Sequence, residues 1–400
     1  IDSTSCIWFL YTSQIFEKTK NFDETIIDIH DYTNAIDVLV DCKPDCVITE
    51  NNKFSTIDNA FNLAAKFLNI PLIHFKINDF NYSGNSKSSS QIISNFKRNI
   101  KKIILKDSET KQNHIFFILY KNKFLYETEK KLNTNTIQNL KSQIDNIIFH
   151  FVGNLEKRFS NLADLNIVNN EMWLNTFRKY GIDEKKIVLT GNPYWDKYFH
   201  IFNQTNFSKE PIHDQPIKIL IITTPLVEHG HWSEQERDQI ISNLINILSK
   251  KNEFLFSFKI HPTSESTQIY KNYIKKMNTS SKIYQNESLW EIIENYDLII
   301  SYGFSMIHTE IALAGCKMIL FNLNNDFKIM PLVNSAIDSG FIEKCNKFED
   351  LSEIIKNLAK KEIKLKSNYD NEIRKYFYKF DGNSGMRAAK AIHKIIKKNH

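Results

Sequence analysis

The 400-residue chain is poor in cysteine, glycine and proline, and it has no long apolar run. Its five cysteines, an odd number scattered among apolar residues, indicate free thiols in a reducing compartment rather than a disulfide framework. The longest apolar stretches, such as Ile115–Tyr120, are far shorter than the ~18 residues that cross a bilayer. We therefore expect a cytoplasmic protein that is not integral to a membrane.

Composition and charge exclude further classes. A hydrophobic fraction of 42% with 24% charged residues is typical of a folded globular chain, not of a disordered or collagen-like one. The formal charge of +6 is modest for this length, and no dense basic stripe is present, so we expect no nucleic-acid partner. At roughly 150 residues per domain, the length predicts two or three domains, of which two is the simplest expectation.

Strand-length apolar runs alternate with amphipathic helical patterns along most of the chain, which predicts an α/β fold with parallel sheets. The pattern breaks between 81 and 150, where Ser, Asn and Lys dominate, and we expect an irregular insertion or flap there. The aperiodic, proline-bearing stretch 200–215 is typical of a linker. The predicted domains are 1–205 and 206–383, followed by a C-terminal helix over 384–400 that packs towards the first domain.

Four landmarks follow one another in a familiar order. They are IVLTGNPYWDKY (Ile187–Tyr198), FKIHPTSES (Phe258–Ser266), the long segment Leu289–Asn322 with SYGFS, and DGNSGMRAAKAI (Asp381–Ile392). The set resembles the GT-B-fold sugar-nucleotide enzymes: the UDP-N-acetylglucosamine 2-epimerases, the CDP-glycerol glycerophosphotransferases and the capsule glycosyltransferases with a His-Pro motif. The resemblance implies two Rossmann-like domains that face a cleft, with the donor nucleotide held by the second.

The donor-side candidates lie where predicted strands end. Gly303 follows a strand and Ser305 opens the next helix, an arrangement that presents backbone N–H groups and a positive helix dipole to a diphosphate. His261 ends another strand, where it can donate to a phosphate or to a base edge, and Pro262 fixes its turn. The resemblance implies that Glu310 holds ribose hydroxyls. The full predicted donor set is Thr223, Thr224, His261, Pro262, Gly303, Ser305 and Glu310.

The acceptor side departs from the epimerases. Alignment on that family's motifs places Asn52 and Lys76 where it has its catalytic aspartate and glutamate, and neither residue can act as a carboxylate base. Glu50 is the nearest remaining carboxylate, and we predict it as a catalytic residue together with His229. Asn192, in the turn after the strand at Ile187, completes the predicted cleft.

No metal or cofactor is expected. The chain has no Asp-x-Asp motif, P-loop, GxGxxG, nucleophile elbow or HExxH. Cys42 and Cys46 lack a second Cys/His pair at zinc spacing, and Glu228, His229 and His231 lack a further ligand.

The function predicted from the sequence is a metal-independent transferase that moves a sugar or polyol phosphate from a nucleotide donor to a glycan or lipid-linked acceptor in surface glycan synthesis. The alternatives are an epimerase-like enzyme with altered acids and a non-catalytic sugar-nucleotide-binding protein. Segments that mix Lys with Ile, at Lys97–Lys106 and Lys394–Lys398, suit contact with an anionic inner membrane face, although a solvated helix face is the simpler interpretation.

Overall fold

The computed structural model of the chain describes residues 7–10, 25–50, 56–76, 93, 108–132, 135–152, 162–199, 216–228, 231–250, 253–262, 264–276, 281–303, 305–321, 331–361 and 377–399. The chain divides into two compact units, the first comprising Ile1–Asn192 with Ser384–His400 and the second Pro193–Asn383. The domain limits 1–205, 206–383 and 384–400 stay predictions, because the linker expected at 200–215 lies outside the described residues.

The first unit contains a two-stranded parallel pair and a four-stranded parallel sheet of order β3-β4-β5-β6. Its strands are β1 (Ile7–Leu10), β2 (Thr25–Asp28), β3 (Val47–Thr49), β4 (Leu72–Phe75), β5 (Leu165–Val168) and β6 (Ile187–Leu189). Its helices are α1 (Ala35–Cys42), α2 (Thr56–Phe67), α3 (Ser108–Lys131), α4 (Thr136–Val152), α5 (Glu171–Lys179) and α12 (Ser384–Asn399).

Both faces of the four-stranded sheet are covered by helices. On one face Leu72 packs with Ala60 and Ala64, whose small side chains let α2 approach closely. On the other face Ala388 of α12 packs with Ile73 and Ile167. The terminal helix thus belongs to the first unit, and successive residues of β4 point to opposite faces, as the period of a strand requires.

The expectation of an irregular insertion over 81–150 was wrong for its second half, where α3 and α4 form. Helix α3 buries Phe124 and Leu125 in the same core as α2, and Tyr120 donates from its hydroxyl to the Ile29 carbonyl at 2.7 Å. Thr128 accepts from the Ala35 backbone N–H at 3.0 Å. These buried residues form a narrow stripe within a Lys-rich segment, and only the packed neighbours reveal that it faces a core.

The second unit is a six-stranded parallel sheet of order β12-β11-β10-β7-β8-β9. Its strands are β7 (Ile217–Ile222), β8 (Phe254–Lys259), β9 (Ile283–Tyr284), β10 (Leu298–Tyr302), β11 (Met318–Phe321) and β12 (Ile342–Cys345). Its helices are α6 (Glu234–Ser249), α7 (Thr267–Lys276), α8 (Leu289–Ile292), α9 (Ile307–Leu313), α10 (Pro331–Asp338) and α11 (Leu351–Lys360). The chain builds outward from β7 in one direction and then returns to build outward in the other, which is Rossmann topology.

The predicted α/β class and parallel sheets are confirmed. Sequence patterning missed the edge strand β12 and helix α10. In β12 only the two end residues, Ile342 and Cys345, are buried, so its four residues lack a clear apolar pattern. Within the described ranges, none of the helices has both the length and the apolar character of a membrane span.

Candidate functional site

The reversal of strand order in the second unit lies between β7 and β10, and open α/β sheets bind ligands outside the carboxyl ends of strands at such a point. Thr224 follows β7 and donates from its hydroxyl to the Tyr302 carbonyl of β10 at 2.7 Å. Gly303 follows β10 with φ of +78°. A Cβ at Gly303 would lie 3.3 Å from Leu226 Cδ1 and 3.4 Å from Thr224 Cβ. The two strand ends therefore meet tightly, and only glycine fits without strain.

A third strand end joins them, because β8 lies beside β7. The backbone N–H of His261 donates to Glu265 Oε2 at 2.8 Å, and the Thr223 hydroxyl donates to the same oxygen at 2.5 Å. The Tyr270 hydroxyl donates to Glu265 Oε1, also at 2.5 Å. The buried carboxylate of Glu265 thus links the ends of β7 and β8 to helix α7.

The His261 ring is held as well. The Ser264 backbone N–H donates to His261 Nδ1 at 3.2 Å. Burial lowers the pKa of His261, and the neighbouring Lys259 ammonium lowers it further, whereas Glu265 raises it. Lys259 itself donates to the backbone carbonyls of Ile260 at 3.2 Å and Gln285 at 2.9 Å. A half-buried neutral imidazole at this edge is a hydrogen-bond donor or acceptor more readily than a cation.

Helix α9 begins at Ile307, two residues later than the sequence suggested. The Ser305 carbonyl accepts from the His308 backbone N–H at 3.2 Å, so Ser305 sits in the turn that leads into the helix. Inside, the ring of the buried His308 lies 2.9 Å from the Ser301 hydroxyl, Nε2 to Oγ. Burial lowers the pKa of His308 to about 4, so this pair is neutral and fastens α9 to β10 beneath the turn.

Glu310 lies in α9 and accepts a hydrogen bond from the Tyr194 hydroxyl at 2.9 Å. Burial raises the pKa of the Glu310 carboxyl, and the bond from Tyr194 opposes this. Tyr194 packs edge-on against Tyr198, and the Lys197 ammonium lies 4.7 Å from the centroid of each ring. The ring of Trp290 packs on Tyr198 at 4.9 Å. Aromatic rings therefore lie beside the residues that hold this carboxylate, and the Lys197 and Lys259 ammonium groups both favour its charged form.

The first unit has its own group of titratable residues, at the ends of the neighbouring strands β3 and β4. Lys76 is 5% exposed, and its Nζ lies 5.1 Å from the Trp173 ring centroid. Burial lowers the pKa of Lys76 to about 8, although Glu50 and Asp58 favour the charged form. Burial likewise raises the pKa of Glu50, with Lys76 opposing. The pKa values of both groups therefore lie closer to neutral pH than they do in water.

A buried histidine extends this group inward. His74 lies on β4, two residues before Lys76, and is fully buried. Neither of its ring nitrogens has a hydrogen-bond partner among the described residues. Burial, with a contribution from Lys76, lowers its pKa to about 4. Its neighbour across the sheet is Asn166 of β5.

The remaining predicted residues are placed as follows. Pro262 is exposed, Asn192 is buried, and Asn52 and His229 lie outside the described residues. Glu228 forms an ion pair with Arg237 at 3.2 Å, and no group of three His, Cys, Asp or Glu side chains suited to a metal occurs in the described part of the chain.

Sequence reasoning missed Glu265, Tyr194 and His308. Glu265 lies only four residues after His261 in the FKIHPTSES segment, and an acidic residue in the loop after a strand could have been predicted as a site residue. Tyr194 and His308 carried no such signal, because their partners are 116 and 7 residues away and are known only from the fold.

Comparison with known proteins identifies the architecture. No family model matches the chain, and no curated protein matches it. A solved UDP-GlcNAc 2-epimerase from Methanocaldococcus jannaschii is similar over 97% of this chain and 91% of its own, with 15% identity and a TM-score of 0.50. The corresponding epimerase from Neisseria meningitidis is similar over 98% of this chain and 92% of its own, with 14% identity and a TM-score of 0.48. MurG from Acinetobacter baumannii is similar over 98% of this chain and 91% of its own, with 14% identity and a TM-score of 0.43. The chain has the GT-B type of fold, with two Rossmann-like α/β domains, as the resemblance implied.

Proposed function

We propose that the protein is a metal-independent GT-B-type transferase. It would move a sugar or polyol phosphate from a nucleotide donor to a glycan or lipid-linked acceptor in surface glycan synthesis. The observation that carries this proposal is the joining of three adjacent strand ends in the second unit. Thr224 bonds to the end of β10, and Glu265 links Thr223 to His261. Such an edge in a Rossmann-type sheet is where a nucleotide binds.

Each donor-side residue has a role in this proposal. Gly303 lets backbone N–H groups approach the diphosphate, with the Ser305 hydroxyl beside it, and His261 donates to a phosphate oxygen. Glu310 accepts from the ribose hydroxyls. Without an Asp-x-Asp motif, backbone and side-chain donors rather than a metal would stabilise charge on the leaving diphosphate, and the reaction needs no cofactor.

The acceptor side of the proposal lies in the first unit. A transferase needs a group that removes a proton from the acceptor hydroxyl, and a carboxyl whose pKa is raised suits this task. Glu50 meets that requirement, since burial raises its pKa. His229 is a second candidate that rests on the sequence alone. Lys76 would attract a negatively charged acceptor such as a phosphorylated lipid carrier.

An epimerase is the second candidate, favoured by the fold shared with the Methanocaldococcus jannaschii enzyme. Lys76 argues against it, because an ammonium group stands where that family has a glutamate. A binding protein without turnover is the third candidate. The three differ in their products, since a transferase needs an acceptor, an epimerase converts the donor alone and a binding protein does neither.

The test begins with thermal shift measurements for UDP, CDP and GDP and their sugar or glycerol derivatives, because a ligand of the folded state raises the melting temperature. Any stabilising donor is then incubated with candidate acceptors in excess EDTA, and products are identified by mass spectrometry and NMR. Transfer in EDTA supports the proposal. An altered sugar configuration without acceptor would show the epimerase, and stabilisation without any product would show the binding protein.

We also propose that the protein works in the cytoplasm and contacts the inner membrane face through α12. Its lysines Lys390, Lys394, Lys397 and Lys398 are exposed and lie outside the face that packs on the sheet, and the helix contains no acidic residue. Each lysine near an anionic membrane contributes about 1 kcal/mol. Cosedimentation with phosphatidylglycerol vesicles should fall in Lys390→Glu/Lys394→Glu but not in Lys271→Glu/Lys275→Glu, which alters exposed lysines of α7. Equal binding to neutral vesicles would contradict the contact.

A further inference from the structure

The loop that follows β8 holds the His261 imidazole by a bond to a defined nitrogen. The Ser264 backbone N–H donates to Nδ1 at 3.2 Å. A nitrogen that accepts a hydrogen bond carries no proton, so the proton of the neutral ring resides on Nε2. The geometry therefore selects one of two tautomers that the sequence leaves equivalent.

The conformation of this loop depends on Glu265, which is 6% exposed. Its two oxygens accept from the Thr223 hydroxyl, the His261 backbone N–H and the Tyr270 hydroxyl. Bonds to an ionised carboxylate are roughly twice as strong as neutral ones, and together they stabilise the buried charge. The His261 N–H to Glu265 bond closes the loop from residue 261 to 265, and within that closure Ser264 faces the ring.

The side chain of Gln285 supports the same loop from the end of β9. Its Nε2 donates to the Glu265 carbonyl at 2.9 Å and lies 3.4 Å from the carbonyls of both His261 and Pro262. The backbone of this loop is thus held from within by the Glu265 carboxylate and from the end of β9 by the Gln285 amide. A loop restrained in this way presents its side chain in one orientation, which is the requirement for a preorganised donor.

We propose that Glu265 is a positioning residue that holds His261 as the Nε2–H tautomer, so that His261 meets the donor phosphate as a neutral hydrogen-bond donor rather than as a base. The phosphate part of this inference rests on the proposed function, whereas the tautomer and the role of Glu265 do not. Ser264 takes part through its backbone, so its side chain is dispensable.

The charges around the ring agree with a neutral donor. Burial and Lys259 lower the pKa of His261, and the Glu265 carboxylate, which raises it, does not offset them. Burial lowers the pKa of Lys259, whereas the carboxylates of Glu287, Glu265 and Glu310 raise it. A donor that keeps its proton on Nε2 without being charged serves a phosphate equally well at pH 7 and pH 8.

The first experiment reads the tautomer directly, by long-range 1H–15N NMR on the full chain labelled at histidine, without ligand. The His261→Gln spectrum identifies the His261 signal among the twelve histidines. We expect a protonated Nε2 and a bare Nδ1. In Glu265→Ala both tautomers should appear, whereas Glu265→Gln should retain the first, because its amide oxygen still accepts from Thr223 and His261 and its NH2 can donate to Tyr270.

A protonated Nδ1 in the unsubstituted protein would overturn the inference without recourse to any variant. An unchanged tautomer in Glu265→Ala would also overturn it, and would leave Glu265 a purely structural role. Should that variant fail to fold, Glu265→Asp replaces it, because it keeps the charge but withdraws the oxygens by one methylene. Ser264→Ala is the matched control and should leave the signal in place.

The second experiment measures the affinity for UDP and CDP by calorimetry. A Gln amide places its N–H near the position of Nε2, and an Asn amide places it near Nδ1. We expect His261→Gln to weaken binding less than threefold and His261→Asn more than tenfold, and the reverse order would contradict the inference. If neither nucleotide binds the unsubstituted protein, the proposed function and the phosphate part fail together, while the NMR result still decides the role of Glu265.

Discussion

The hydroxyl of Tyr194 donates to Oε1 of Glu310 across 2.9 Å, joining two residues that are 116 positions apart in the chain. Tyr194 stands in the GNPYWDKY segment and Glu310 in α9, and both belong to the second unit. A carboxylate has about four acceptor positions, so Glu310 can accept from Tyr194 and from ribose hydroxyls together. The bond orients the carboxylate and favours its charged form, against the larger effect of burial, which raises its pKa.

Substitution of Tyr194 tests this orientation through pH. Burial raises the pKa of Glu310, while the bond from Tyr194, together with Lys197 and Lys259, lowers it. Tyr194→Phe removes one lowering influence, so the pKa rises further and the carboxylate is protonated at higher pH. We expect the acid-side loss of UDP affinity to move upward by roughly half a pH unit or more, measured by calorimetry from pH 5 to 8. In Glu310→Gln this acid-side loss should disappear, and identical profiles for the three proteins would refute the assignment.

Kinetics should separate Glu310 from His261. In the proposed function Glu310 holds the ribose hydroxyls equally in the ground and transition states, so Glu310→Ala should raise the donor KM tenfold or more with kcat nearly unchanged. Charge grows on the leaving phosphate in the transition state, so His261→Ala should lower kcat by about 10²–10³-fold. Steady-state rates at varied donor concentration decide between them. If both variants stay within about twofold of the parent, the strand-end crevice is not the active site.

Gly303 should be intolerant of any side chain. At φ of +78° an alanine is strained by about 1–2 kcal/mol, and its Cβ would press on Leu226 and Thr224. Gly181→Ala is the matched control, because Gly181 has φ of +71° but nothing within 4 Å of the added Cβ. We expect both variants to lose stability in thermal melts, Gly303→Ala at least as much as Gly181→Ala, and only Gly303→Ala to lose UDP binding by tenfold or more. Equal affinity in the two variants would show that the turn does not approach the nucleotide.

Lys76 should destabilise the fold at neutral pH. Burial lowers its pKa to about 8 from 10.5, so between these values the unfolded chain binds a proton that the folded chain has released. Stability from this group therefore rises with pH across that window, and the penalty is complete below it. We expect Lys76→Met to be about 1–3 kcal/mol more stable at pH 7, with the gain shrinking at pH 9.5 in urea denaturation.

The control for Lys76 is Lys179→Met, which alters an exposed lysine of the same unit and should change stability at pH 7 by less than about 0.5 kcal/mol. A Lys76→Met protein that is less stable than the parent at pH 7 would mean that the bonds of the ammonium outweigh its burial.

The order of elements was readable from the sequence because each strand carries its own apolar run. The strand ends predicted near His261 and Gly303 lie within two residues of the ends of β8 and β10, and helix α9 begins two residues after the predicted Ser305. The exceptions are elements that bury only a few of their residues and therefore show no clear apolar pattern in the sequence. Helix α3 shows only Phe124, Leu125 and a few others to the core within a Lys-rich stretch, and β12 buries just its two ends.

The sequence by itself therefore determined the α/β class and the strand ends near which Thr223, His261 and Gly303 stand, and it shows that Asn52 and Lys76 are not carboxylates. Only the tertiary structure decided which of these ends are neighbours. The order β10-β7-β8 brings residues as far apart in the chain as Thr224 and Tyr302 into contact. It also places Glu265, a loop residue after β8, within hydrogen-bond distance of Thr223 at the end of β7. The physical reason is that a hydrogen bond, or a pKa shift caused by burial, depends on distances through space. Periodicity along the chain indicates only which face of each helix or strand is buried.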